Sequence, residues 1–136
     1  MRRFVLVISA LLLCPAEALA GEHDYPILDA YLSVFRSKVA DELPLSDDVT
    51  FYGSLLPEPI VGRNQVITFF NKVAPSVQLR QVKQAFEGAN GACAELVFYF
   101  EGADVLLEEA HCIQIKDGKI LSIRLYYDPR PLMGGN

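Results

Sequence analysis

Residues 77–127 read VQLRQVKQAFEGANGACAELVFYFEGADVLLEEAHCIQIKDGKILSIRLYY. Apolar and polar side chains alternate along most of this stretch, which is the two-residue period of a β-strand. Short turn sequences divide it into four predicted strands, which are residues 77–86, 92–100, 105–115 and 119–127. Asp117-Gly118, between the last two strands, is typical of a two-residue hairpin, because both positions of such a turn need positive φ. The stretch therefore predicts an antiparallel meander.

Two helices are predicted upstream of the meander. Residues 24–42 carry apolar side chains at three- and four-residue spacing, with Asp24 as a cap and Pro26 in the first turn. Residues 63–74 show a similar apolar face and end before Pro75. A short strand at 49–52 and a loop lie between the helices. Helices followed by a meander predict an α+β fold with the helices on one face of an antiparallel sheet.

The N-terminus has the three parts of a secretory signal peptide, MRRFVLVISALLLCPAEALA, over residues 1–20. Arg2 and Arg3 precede an apolar run, and residues 18–20 form an A-x-A cleavage site. The apolar run is about half of the roughly 20 residues that a spanning helix needs. We therefore expect export to the periplasm or the medium, with no membrane span after signal removal.

Removal of the signal peptide leaves 116 residues, which suits one domain over 21–136. The same cleavage changes the formal net charge from −5 to −6, and no basic cluster offsets it. Nucleic acid and anionic membranes are therefore not expected as partners. A lipoprotein anchored through Cys14 is the alternative, but Leu13 is large where a lipobox has a small residue.

The order helix, strand, helix, meander resembles the nuclear-transport-factor-2-like superfamily, and the C-terminal end looks most like its SnoaL-like branch. The resemblance rests on stretches spread over the whole mature chain, which are residues 46–51, 61–63, 69–70, 116–120 and 126–131. It implies a cone-shaped α+β fold in which a curved antiparallel sheet holds the N-terminal helices on its concave face. Ketosteroid isomerases and polyketide cyclases share this fold, and fold alone does not specify function.

The resemblance also implies positions for the residues of isomerase chemistry. Steroid isomerases use an aspartate base, with a tyrosine and a protonated aspartic acid as the oxyanion hole. In this chain the base position falls at or beside Gly53, and the acid position, just before His111, falls on Ala110. Only the tyrosine has a counterpart, Tyr31. Because glycine cannot accept a proton and alanine cannot donate one, that chemistry is not expected unless a nearby carboxylate has taken the role.

Glu108 is the candidate for this carboxylate. The two hairpin turns set a register in which Glu108 and Ala110 share one sheet face, and the resemblance places Ala110 inside the cone. The predicted pocket-lining residues are Tyr31, Tyr99, Glu108 and Tyr127. A carboxyl group in an apolar pocket suits general acid or base work. The alternative is a glutamate at the pocket rim, bonded to a tyrosine hydroxyl.

The opposite face is predicted to be the outer one. Glu109, His111, Arg124 and Tyr126 would form a salt-bridged patch there, or else an anion or proton-transfer site. The apolar residues of the same face predict a homodimer contact, and they are Leu96, Phe98, Leu107 and Ile113. No metal site is predicted, because His111 has no second histidine near it. No cofactor fingerprint is present either.

Three functions remain open from the sequence. The first is an exported domain that binds a small apolar molecule in a pocket. The second is an isomerase, cyclase or lyase with Glu108 as acid or base and Tyr31 or Tyr127 as hydrogen-bond donor. The third is a protein-interaction module that uses the sheet face. A cavity filled by Phe51, Phe70 and Phe86 would leave only the third.

Cys93 and Cys112 are predicted to form a disulfide. They are the two cysteines that remain after the signal peptide with Cys14 is removed, and export brings them to an oxidising compartment. If Gly102-Ala103 is the turn, the antiparallel register places Cys93 directly opposite Cys112. The alternative is a pair of small, buried thiols, and a bulge in either strand would also prevent the bond.

Overall fold

The computed structural model describes residues 24–134. The predicted signal peptide lies outside the described residues. The elements, in chain order, are α1 (Pro26–Ser37), β1 (Leu45–Tyr52), β2 (Ile60–Val61), α2 (Arg63–Val73), β3 (Val77–Glu87), β4 (Gly91–Phe100), β5 (Val105–Lys116) and β6 (Lys119–Tyr126). Short 3-10 turns follow at Ala74–Ser76 and Arg130–Met133. Neither α-helix in the described range combines the length and the apolarity needed to cross a membrane.

The six strands form one curved sheet in the order β2-β1-β6-β5-β4-β3, with the two helices packed against it. The predicted α+β class and the antiparallel meander of β3 to β6 are confirmed. One pairing differs from an all-antiparallel sheet: β1 runs parallel to β6. Parallel strands need a long crossover connection, and here α2 and the first three meander strands supply it. The sheet is therefore mixed.

Helix α1 is shorter than predicted, and its N-terminus is stabilised from the sheet. The N-cap is Tyr25 rather than Asp24, and its side chain makes no capping bond. Instead the Leu28 backbone N–H donates to Oε1 of Glu87 over 2.6 Å, so a carboxylate from β3 satisfies a free donor of the first turn. The helix ends at Ser37, because Lys38 adopts the left-handed conformation with φ 66°.

The register of the β5–β6 hairpin decides which side chains share a face. Asp117 and Gly118 both have positive φ, as the turn predicts, and Lys116 pairs with Lys119. The register then shifts by one residue between Gln114 and Ile115, so His111 pairs with Leu125 instead of Arg124. This bulge brings His111 onto the same face as Ile123, Leu125 and Tyr127.

The inner face of the sheet is therefore not the predicted one in β4 and β5. Leu96, Phe98, Leu107 and Ile113 are all buried, and Glu109 and His111 are buried with them. Glu108 and Ala110 lie on the outer face. The reason is the hydrophobic effect. Covering the face with these four large apolar residues releases more free energy than covering the face with Glu95 and Glu108. The four residues named for a homodimer contact thus belong to the core.

The Cys93–Cys112 disulfide is present. The two residues are directly paired across β4 and β5, and no register shift interrupts these two strands. Their Cα atoms are 4.2 Å apart. The bond lies on the outer face of the sheet, beside the exposed ring of Phe86, which pairs with Cys93.

Candidate functional site

A cavity of about 230 Å³ lies between α2, the loop after β1 and the inner face of the sheet. Its walls are mostly aromatic, because six of the eight phenylalanines in the chain line it: Phe35, Phe51, Phe69, Phe70, Phe98 and Phe100. Aliphatic side chains such as Leu56, Val73 and Leu125 complete the walls. Phe51 and Phe70 border the cavity without filling it, and Phe86 points away from it on the outer face.

The polar end of the cavity is formed by Glu109 and His111, which are two residues apart on β5 and so share one face. Nε2 of His111 lies 2.6 Å from Oε2 of Glu109. Nδ1 of His111 lies 2.8 Å from the hydroxyl of Tyr31, which comes from α1. All three side chains are buried, with at most 4% of their surface exposed. They form a hydrogen-bonded chain, Tyr31–His111–Glu109.

The direction of the hydrogens in this chain follows from Tyr31. Burial, together with the negative charge of Glu109, raises the pKa of Tyr31 well above its usual value of 10.0, so the phenol keeps its hydrogen. Among the described residues Nδ1 of His111 is the only hydrogen-bond partner of this buried hydroxyl, so the hydrogen is donated to Nδ1. A neutral imidazole then carries its own hydrogen on Nε2 and donates it to Oε2 of Glu109. Tyr31 thereby sets the tautomer of His111.

The second carboxylate oxygen of Glu109 takes no part in this hydrogen-bonded chain. Oε1 is buried and has no hydrogen-bond partner among the described residues. A buried carboxylate oxygen without a partner is costly, so an unpartnered one beside a cavity points to a ligand. Tyr127 also lines the cavity; burial and then the charge of Glu109 raise its pKa, while a backbone hydrogen bond from Leu55 lowers it.

The structure separates the predicted pocket residues into three groups. Tyr127 lines the cavity, as expected, and so does Gly53. Tyr31 is in the core next to His111 and reaches the cavity only through it. Tyr99 and Glu108 were wrongly assigned to the pocket, because they lie on the outer face.

On that outer face Tyr99 and Glu108 contact other residues. Tyr99 donates to Asp104 over 2.7 Å, and Arg80 lies 5.1 Å from the centre of its ring. The Glu108 carboxylate accepts from Lys83 over 2.9 Å. These are exposed surface interactions, which contribute little to stability.

Sequence reasoning placed Glu109 and His111 on the outside, although one signal could have found them. Both alternate in β5 with Leu107 and Ile113, so they belong to the apolar face of that strand. That face is the one a helix layer covers. Within residues 24–134 no group of three or more His, Cys, Asp or Glu side chains is arranged to hold a metal ion.

No protein-family model matches the chain, and no curated protein matches it. Solved structures do match it. A protein of unknown function from Cytophaga hutchinsonii, described as nuclear-transport-factor-2-like, has a TM-score of 0.64 at 20% identity, over 82% of this chain and 98% of its own. A putative polyketide cyclase from Xanthomonas campestris has a TM-score of 0.66 at 20% identity, over 78% and 90%.

A third match is a hypothetical protein from Catenulispora acidiphila with a ketosteroid isomerase-like fold, solved in complex with trimethylamine. Its TM-score is 0.63 at 16% identity, over 76% of this chain and 86% of its own. Identities this low show the fold alone. The element order, the curved sheet and these structures agree: the chain has the nuclear-transport-factor-2-like fold.

Proposed function

We propose that this chain is an exported domain that binds a small, largely apolar molecule in the aromatic cavity, with one polar hydrogen of the ligand bonded to Glu109. The observation that carries the proposal is Oε1 of Glu109, a buried acceptor without a partner among the described residues. Ligand pockets commonly combine apolar walls with a few polar groups that orient the ligand. Here the walls are phenylalanines, and Glu109 and His111 are those polar groups.

The size of the cavity limits the ligand. An apolar cavity of roughly 150 Å³ accommodates benzene. About 230 Å³ is therefore enough for one substituted ring or an alkyl group of similar volume. A four-ring steroid has roughly three times the ring carbons of benzene and would have to extend out of the cavity.

Export is supported by two independent features of the chain. Residues 1–20 have the pattern of a signal peptide. The Cys93–Cys112 disulfide is of the kind that persists in oxidising compartments and is rare in the cytosol. N-terminal sequencing of the protein from a periplasmic extract or culture medium tests this, and we expect the mature chain to begin at Gly21.

A proton-transfer enzyme of the isomerase, cyclase or lyase type is the second candidate function. The hydrogen-bonded chain Tyr31–His111–Glu109 favours it, because an oriented carboxylate beside a cavity can remove a proton from a bound substrate. Glu109 takes the role that the sequence assigned to Glu108. The resemblance of the fold to a putative polyketide cyclase is compatible with this function.

Native mass spectrometry of protein purified from its own host tests the binding proposal. We expect a retained ligand on the wild-type protein and on Glu108→Gln, and its loss from Glu109→Gln. Glu108 is the matched control, because it is the adjacent glutamate on the opposite face. A panel of single-ring and alkyl compounds in a thermal-shift assay provides the second measurement. No bound mass and no shift across the panel would contradict the proposal.

The retained ligand also separates binding from catalysis. Incubated with the protein in deuterated water, a substrate of a proton-transfer enzyme exchanges a carbon-bound hydrogen for deuterium, and Glu109→Gln stops the exchange. A ligand that is only bound shows no exchange above the protein-free rate. The second result would leave the chain as a binding domain.

A further inference from the structure

We infer that the ligand of the cavity is a small protonated amine whose N–H group donates to Oε1 of Glu109. The inference rests on the proposed binding function and specifies its ligand class. Three observations carry it, all made on the described residues: a buried carboxylate oxygen without a partner, a cavity lining without a lysine or an arginine, and aromatic walls.

The polar end of the cavity carries a negative charge. His111 receives the hydrogen of Tyr31 on Nδ1 and donates its own from Nε2, so the imidazole is neutral. Glu109 thus has one neutral hydrogen bond while only 4% of its surface is exposed. A buried carboxylate with so little compensation is strongly destabilising, and a cation in contact with it removes most of that cost.

Within residues 24–134 no lysine or arginine fills this role. Of the described residues that line the cavity, none is a lysine or an arginine. Lys83 is bonded to Glu95 and Glu108 on the outer face. Arg124 lies 3.9 Å from the ring centre of Tyr52, also away from the cavity. His111 would form an ion pair with Glu109 only if it were protonated, and its Nδ1 instead accepts from Tyr31, so the remaining source of a compensating charge is the ligand.

The walls favour an alkylated ammonium group. Aromatic rings attract cations and also accept the methyl or methylene groups around a substituted nitrogen. Glu109 offers one free acceptor, so a tertiary ammonium, with a single N–H, matches it. A primary ammonium would leave further N–H groups without acceptors against phenylalanine walls, which costs affinity. The ligand class is thus a tertiary or secondary amine on a single ring or a short alkyl group.

Three compounds of equal heavy-atom count test the charge directly: N,N-dimethylbenzylamine, its hydrocarbon isostere isobutylbenzene, and phenylacetate. We expect calorimetric titration at neutral pH, where the amine is protonated, to show the amine binding about tenfold or more tighter than isobutylbenzene. Phenylacetate should bind weakest, because its carboxylate meets Glu109. Primary benzylamine should bind more weakly than its dimethylated form.

Variants locate the charge effect. In Glu109→Gln, the amine should lose its advantage over isobutylbenzene; in Glu108→Gln, it should keep the advantage. Equal binding of amine and hydrocarbon to the wild-type protein, or an amine preference that survives Glu109→Gln, overturns the inference and leaves the binding function standing. If none of these compounds and none of the wider panel binds, both the amine inference and the proposed binding function are wrong. Should Glu109→Gln fail to fold, the wild-type ranking alone decides.

Discussion

The hydroxyl of Tyr31 lies 2.8 Å from Nδ1 of His111, although the two residues are 80 positions apart in the chain. The contact joins α1 to the centre of the sheet and has a chemical consequence. By donating to Nδ1, Tyr31 leaves the hydrogen of His111 on Nε2, where it is donated to Glu109. A residue outside the cavity therefore determines how the carboxylate inside it is held.

Replacing Tyr31 with phenylalanine should destabilise the protein by about 1–3 kcal/mol, because it leaves Nδ1 of a buried histidine without a partner. Tyr126→Phe is the control, since its ring is 55% exposed on the outer face and its loss should stay within about 0.5 kcal/mol. Urea unfolding of both variants measures the difference. Equal free energies of unfolding for the two variants would show that the Tyr31–His111 bond contributes nothing.

Removing the disulfide should lower the free energy of unfolding by about 3 kcal/mol in the chain-entropy model. The bond joins residues 19 positions apart and constrains the unfolded chain. The measurement is urea unfolding of the wild-type protein with and without a reductant, with Cys93→Ala/Cys112→Ala as the control. The reductant should have no effect on the double variant. Alkylation of the unfolded, unreduced mature protein should label no thiol.

Glu87→Ala should destabilise the protein by about 1 kcal/mol, which is typical of the loss of a helix cap. The side chain of Glu87 accepts from the Leu28 N–H and places a negative charge at the N-terminus of α1. Glu87→Gln keeps an acceptor and loses only the charge, so its cost should be smaller. Glu58, in an exposed loop, is the control position, where alanine should be nearly neutral.

A homodimer stays a prediction, now through different residues. The outer face of the sheet exposes Phe86, Leu106 and Tyr126, of which Leu106 is 63% exposed. If two copies pack through this face, light scattering should give the dimer mass at tens of micromolar, and Leu106→Glu should give the monomer. Val39→Glu, at an exposed position just after α1, is the control and should leave the mass unchanged. A monomer mass for the wild-type protein would refute the dimer.

Much of the fold could be predicted from local patterns. The two-residue period of 77–127 determines the strands, because side chains alternate across a sheet. Asp117-Gly118 determines the last turn, because both residues accept positive φ. The disulfide followed from counting along a hairpin without a bulge. Each of these features depends on residues that are close in sequence or related by a constant register.

The candidate site could not be predicted in the same way. Alternation separates the side chains of β5 into two sets, one with Glu108 and one with Glu109, but does not say which set faces the helices. A single extra residue in β6, Leu121, then shifts the pairing of β5 with the end of β6 by one residue. As a result His111 shares a face with Leu125 and not with Arg124. The family resemblance that places Ala110 in the pocket agrees with the turn positions. It nevertheless assigns the wrong face of β5 to the cavity.

The sequence by itself determined the order of the two helices and of the meander strands, the hairpin turn and the Cys93–Cys112 pair. Only the tertiary structure decided that Glu109, and not Glu108, borders the cavity, and that Tyr31 acts on it through His111. The physical reason is that the choice of the buried face depends on how all the helices and strands pack together. The helices cover whichever face hides more apolar surface, and that comparison sums over strands far apart in the chain.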